Sequence, residues 1–162
     1  MTRRGLALLA VAASACSRQE QTPAAAPVTA APVVTLERTP CFGTCPVYSV
    51  AISGDGTVRF EGKHHVADTG QMMATIPREQ VDGLLAELDA GGYFGFAEAY
   101  VMSSPACGLY ATDSPTVITS ATRADRTKTI RHDRGCSAAP PELSRLEQRI
   151  DEVAGTDRWV RR

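Results

Sequence analysis

The sequence predicts an α+β fold: one two-layer domain in which an antiparallel sheet carries two amphipathic helices on one face. Three observations predict it. Val47–Ser53 alternates, with Tyr48, Val50 and Ile52 facing one way and Ser49, Ala51 and Ser53 the other, the period of a half-buried antiparallel strand. The turn Gly54-Asp55-Gly56 follows and leads into a return strand with Val58 and Phe60 on one face, so the pair reads as a hairpin. Two later segments place apolar residues at helical spacing, Val81, Leu84, Leu85 and Leu88 in one, Leu143, Leu146, Ile150 and Val153 in the other. Two helices with one apolar stripe each both need a sheet face to cover.

The remaining elements fall into place around these. Val33–Glu37 is β-rich and reads as an N-terminal strand, and Gln71–Ile76 is short enough to add one more. Pro77 begins the first helix, with Glu79 at the positive end of its dipole. Gly91-Gly92 ends it, because glycine takes the left-handed conformation without steric cost. Tyr93, Phe94 and Phe96 then seal one end of the core. Residues 98–114 read as irregular. Thr116–Thr122 and Thr127–Asp133 form a second hairpin, and Pro140-Pro141-Glu142 begins the second helix, closed by Gly155. Shifted by 62 residues, Val81, Leu84 and Leu88 fall on Leu143, Leu146 and Ile150, a weak internal echo of hairpin, helix, glycine and aromatic.

The N-terminus has the organisation of an export signal. Arg3 and Arg4 precede an apolar run, Leu6–Ala13, too short to cross a bilayer as a helix. Ala13-Ser14-Ala15-Cys16 resembles the lipobox of bacterial lipoproteins, although Ala13 stands where a larger aliphatic residue is usual. The expectation is a signal peptide over residues 1–15 and lipidation of Cys16 by palmitate-type chains; plain cleavage after Ala15 is the alternative. Ser17 rather than Asp follows, which by resemblance favours the periplasmic face of an outer membrane in a Gram-negative cell. Residues 16–33 are rich in Pro, Ala and Thr and read as a tether, leaving 34–162 as the folded domain. Removing residues 1–15 takes two arginines from the 17 basic residues and none of the 18 acidic ones, leaving about −3. A charge of that sign does not draw a domain to anionic lipid, so the acyl chains hold the membrane. No basic stripe interleaved with aromatics is present, which argues against nucleic acid as a partner. The expected partners are the membrane, through the anchor, and an envelope protein.

Five cysteines are present. With Cys16 acylated, Cys41, Cys45, Cys107 and Cys136 remain, and four in an exported domain suggest two disulfides. Three connectivities are possible. Cys41 with Cys45 and Cys107 with Cys136 is favoured, because a turn brings i and i+4 within range and the second pair flanks the open end of the second hairpin; crossed pairing stays open. A competing reading treats Cys41-Phe-Gly-Thr-Cys45-Pro46 as chemistry, since it is similar to the C-x-x-x-C-P of thioredoxin-like Sco copper chaperones, with His132 as third ligand beside Cys41 and Cys45. Against it, Pro46 leads into a strand and not into the helix N-terminus that most activates a thiol. His64 and His65 are adjacent in an extended segment and point to opposite faces, so they do not suit one metal ion. No zinc, phosphate-loop, nucleophile-elbow or dinucleotide motif occurs, and no cofactor is expected.

Cys41-Phe-Gly-Thr-Cys-Pro-Val-Tyr-Ser-Val-Ala-Ile52, the following Asp55-Gly-Thr-Val58 and Gly62 resemble domain of unknown function family 6438, an uncharacterised bacterial family. Asp113-Ser-Pro, Lys128-Thr-Ile and Trp159 extend the resemblance over roughly Leu36–Val160. It implies no activity. The sequence therefore points to a non-enzymatic, lipid-anchored binding or structural module, with a thiol-redox or copper-binding protein as the alternative.

Overall fold

The computed structural model describes Met1 and residues 31–161. Apart from Met1, the expected signal peptide lies outside the described residues, as do Cys16 and the tether up to residue 30. Among the described residues, seven strands form one sheet: β1 (Pro32–Arg38), β2 (Val47–Ser53), β3 (Thr57–His64), β4 (Gly70–Thr75), β5 (Ala99–Tyr100), β6 (Thr116–Arg123) and β7 (Arg126–Asp133). Three helices accompany them: α1 (Arg78–Ala90), α2 (Pro141–Ala154) and α3 (Asp157–Val160), with a single 3₁₀ turn at Tyr93–Gly95. The fold is α+β, as expected.

The strand order is β4-β3-β2-β1-β6-β7-β5. β1 lies between the two sequence-predicted hairpins, antiparallel to β2 on one side and β6 on the other. Gly70–Thr75 pairs fully with β3 and forms one edge of the sheet. The stretch expected to be irregular contributes β5, two residues parallel to β7. It is too short to show a periodicity. α3 was likewise not foreseen; four residues carry no stripe.

Alternation assigns the two faces. Val34, Leu36, Val50, Ile52, Val58 and Phe60 are buried, and they join Val81, Leu84 and Leu88 of α1 and Leu143, Leu146 and Ile150 of α2 in one hydrophobic cluster. α1 and α2 pack on each other; α2 also reaches β1 and β2, and α1 reaches β6. Trp159 stacks on Phe60 with ring centroids 4.9 Å apart, and the Trp159 carbonyl accepts the Asp68 N–H, so α3 ties the chain end to the β3–β4 connection.

Two glycines have jobs that sequence alone left open. At the end of α1 the left-handed residue is Gly92 (φ +80°), while Gly91 keeps φ −77°. In the first hairpin Gly56 has φ +89°, and a Cβ there would stand 2.1 Å from the Ile76 carbonyl oxygen. That contact lets Ile76 N–H bond the Gly56 carbonyl and docks the end of β4 onto the turn.

Candidate functional site

The four described cysteines form two disulfides, Cys41–Cys45 and Cys107–Cys136. The first closes a five-residue loop immediately after β1. Phe42 N–H donates to the Asp113 carbonyl (3.2 Å), and Thr39 and Thr116 exchange two further bonds, so the loop leans on the segment leading into β6. Gly43 holds φ +148°, which an L side chain rarely adopts. Phe42 itself is 88% exposed. The second disulfide is buried and ties residues 107–111 alongside 135–138, where Ser137 and Leu109 bond in both directions and Tyr110 bridges Cys136. Leu109 stands out from this ladder at 83% exposure. Both stapled loops lie at the pole where β1 ends; Pro32, opposite Ser53, marks the other pole.

His64 and His65 are exposed, in line with a polar strand end. His132 is different. The polar run at the end of β7 reads as solvent-facing, yet His132 shares the inner phase with Ile130 and is only 3% exposed. Its Nδ1 lies 2.7 Å from Glu147 Oε1, and Glu147, 1% exposed, also accepts from Arg134 Nη1 at 3.2 Å. Tyr100 meets the imidazole edge-on. His132 is thus engaged by a carboxylate, and Cys41 and Cys45 are engaged with each other. Among the described residues no group of three His, Cys, Asp or Glu is placed to hold a metal ion.

A second convergent set was missed from sequence. Asp151 of α2 receives four hydrogen bonds: two from the Arg38 guanidinium, one from Tyr48 OH (2.8 Å) and one from Thr156 Oγ1 (3.0 Å). Arg38 Nε also donates to Tyr48 Oη. Burial, then the Asp151 charge, pushes the Tyr48 phenol well above its ordinary value, with Arg38 opposing. A carboxylate this saturated and a phenol held neutral fasten α2 to β1 and β2; they offer no free base or nucleophile. Both sets carried a signal. Arg38 is in phase with Val34 and Leu36, and Glu147 sits in the stripe of Leu143, Leu146 and Ile150.

The remaining candidate is the outer face of the sheet. Its concavity has a volume of about 420 Å³. Register places Gln71, Glu61, Ser49, Glu37 and Ile118 in one row across five strands, and Met73, Arg59, Ala51 and Thr35 in the next. Thr35, Ser49 and Ala51 are half-buried, and no residue of a described helix lines the concavity around them. Glu37 pairs with Lys63 at 3.4 Å. Arg59 and Glu61 make no salt bridge among the described residues. Small side chains lie in the middle of this surface, and charged or thioether ones lie toward β4.

The family model of the Domain of unknown function (DUF6438) matches residues 32–154. The chain belongs to that family. The match begins at Pro32 and ends at Ala154, so in this DUF6438 protein it takes in all seven strands, both disulfides, α1 and α2, the outer concavity, and the Arg38, Tyr48 and Asp151 members of the inner network. A search of curated proteins finds no match to the chain.

Proposed function

We propose that this DUF6438 protein is a non-enzymatic binding module held in the cell envelope by a lipid on Cys16, with its partner docking on the outer face of the sheet. In this reading the domain has two layers, both helices covering one sheet face and leaving the other for a protein of the envelope. The observation that carries the proposal is the concave, half-buried outer face around Ser49 and Ala51, which no described helix lines. Each of the two inner polar sets is closed among its own members, and the four described cysteines are joined in pairs, which supports binding over catalysis.

The polarity of β1 supports the anchoring half of the reading. The chain enters at Pro32, beside the Gly54–Gly56 hairpin, and the two stapled loops occupy the opposite pole. An anchor attached upstream would hold the hairpin pole toward the membrane and present Phe42 and Leu109 away from it. In a Gram-negative cell the expected location is the periplasmic face of the outer membrane. No cofactor enters the proposal.

Co-purification of the full chain from envelope extract tests it. A partner should be recovered with the wild type and lost with Ala51→Arg, which fills the concavity without touching the core. Equal recovery with both proteins, or none above background with either, rejects the outer face. Fatty-acid labelling that persists in Cys16→Ser rejects the anchor separately.

A further inference from the structure

We infer that the free edge of β4 pairs with the β4 edge of a second copy of this chain, antiparallel, about a two-fold axis through Met72. β4 ends the sheet, and among the described residues no strand covers its outer side. Natural edges are usually blunted by charge, proline, a bulge or brevity. Gly70–Thr75 has no ionisable side chain and no proline, and pairs with β3 over its six residues without a register shift. Gly70, Gln71, Met73 and Thr75 are exposed, Met73 at 65%. The opposite edge is the two-residue β5, which leaves little ladder to extend.

Charge selects the partner and the register. A two-fold normal to the sheet keeps both outer faces on the same side, so residues opposite one another share a face. Two central registers satisfy this. With Met73 opposite the partner's Met73, one row would run Arg59, Met73, the partner's Met73, the partner's Arg59, placing like charges at its ends. With Met72 opposite the partner's Met72, Gln71 faces the partner's Met73. The row then runs Glu61, Gln71, the partner's Met73, the partner's Arg59, and symmetry repeats it. Opposite charges now terminate each row, roughly 14 Å apart at the backbone, three strand spacings. Arginine and glutamate side chains that lean toward one another across the edge bring their charged ends within the ~8–10 Å screening length. β4 itself carries no charge to oppose self-pairing.

A six-residue ladder buries less than the roughly 1,600 Å² of a standard interface. The dimer is therefore weak in free solution and concentration-dependent. The pairing stands independently of what the outer face binds; formed, it joins the two concavities side by side.

Cysteine cross-linking reads the register, because directly opposite residues lie ~4.5–5.5 Å apart at Cα, within disulfide range. In the full chain carrying Cys16→Ser, Met72→Cys under mild oxidation should give a disulfide-linked dimer at least tenfold faster than Met73→Cys. Faster linkage through residue 73, or equal slow linkage at both, overturns the register. A charge swap keeps the proposal falsifiable should Met72→Cys fail to fold. Sedimentation of the wild type should show a dimer at high concentration. Arg59→Glu should weaken it, and Arg59→Glu with Glu61→Arg should restore it. A wild-type chain that stays monomeric throughout overturns the inference and leaves the edge to other partners; a dimer unmoved by Arg59→Glu also overturns it.

Discussion

Asp151 is the residue on which the inner polar architecture turns. Its carboxylate is partly shielded, with its side chain 15% exposed and that of Arg38 24% exposed, and it neutralises a cation that would otherwise sit in the core phase of β1. Asp151→Ala should cost about 2–4 kcal/mol, because it leaves the Arg38 charge unpaired and the Tyr48 hydroxyl without its acceptor. Arg38→Met in the same chain should recover part of that loss, since the pair contributes more by being complete than by existing. Urea unfolding of the two single variants and the double variant checks this; additive losses would show the residues to be uncoupled. Tyr93 offers a pH test. Burial is the main cause pushing its phenol up to about 12, with the bond to Thr119 Oγ1 acting the other way. Its folded value is above the unfolded one, near 10, so the stability it contributes is complete below about pH 10 and disappears as pH rises through about 12. Tyr93→Phe should flatten the fall in stability over that interval, at a cost near 1 kcal/mol at neutral pH for the lost hydrogen bond. A slope unchanged in Tyr93→Phe would assign the alkaline transition to other groups, Tyr48 first. At this scale the sequence was legible where residues are apolar and misleading where they are polar. His132 and Glu147 look like solvent-facing residues by type, and only their phase with Ile130 and with Leu143 marks them as inward.

Among the elements, the two disulfides differ in what they should contribute. Cys41–Cys45 spans four positions and Cys107–Cys136 spans 29. On the chain-entropy model the short loop is worth about 2 kcal/mol and the long one about 3.5 kcal/mol. Replacing Cys107 and Cys136 together by alanine should therefore lower the unfolding free energy more than replacing Cys41 and Cys45, and it should also release the 107–111 ladder to proteolysis. Thiol titration of protein from an oxidising compartment should find none of these four cysteines reactive before unfolding; a readily reduced Cys41–Cys45 pair would revive the thiol or copper reading. The strands and helices were legible from period alone, as β2, β3, α1 and α2 show, because each has one buried face. β5 and α3 have too few residues to show a period. The location of the left-handed glycine at Gly92 depended on which carbonyl the helix end uses, and two adjacent glycines satisfy either choice.

For the molecule as a whole, the α+β class followed from counting hairpins and helices, but the position of β1 did not. Nothing in Pro32–Arg38 says that it pairs with β2 on one edge and β6 on the other. That placement joins two hairpin-helix halves into one sheet and creates the concavity that no single strand encodes. It also sets the poles, with the incoming chain at one and the stapled loops at the other. The outer rows became visible only through register, since Thr35, Ser49 and Ala51 are unremarkable residues along the sequence. The central claim, that the outer face is where a partner sits, is tested most directly by site-specific photo-crosslinking in intact cells. A photoreactive residue at Ala51, on the outer face, should form a discrete adduct with an envelope protein, and the same residue at Ala86, exposed on α1, should not. Adducts from Ala86 and none from Ala51 would place the partner on the helices and contradict the account.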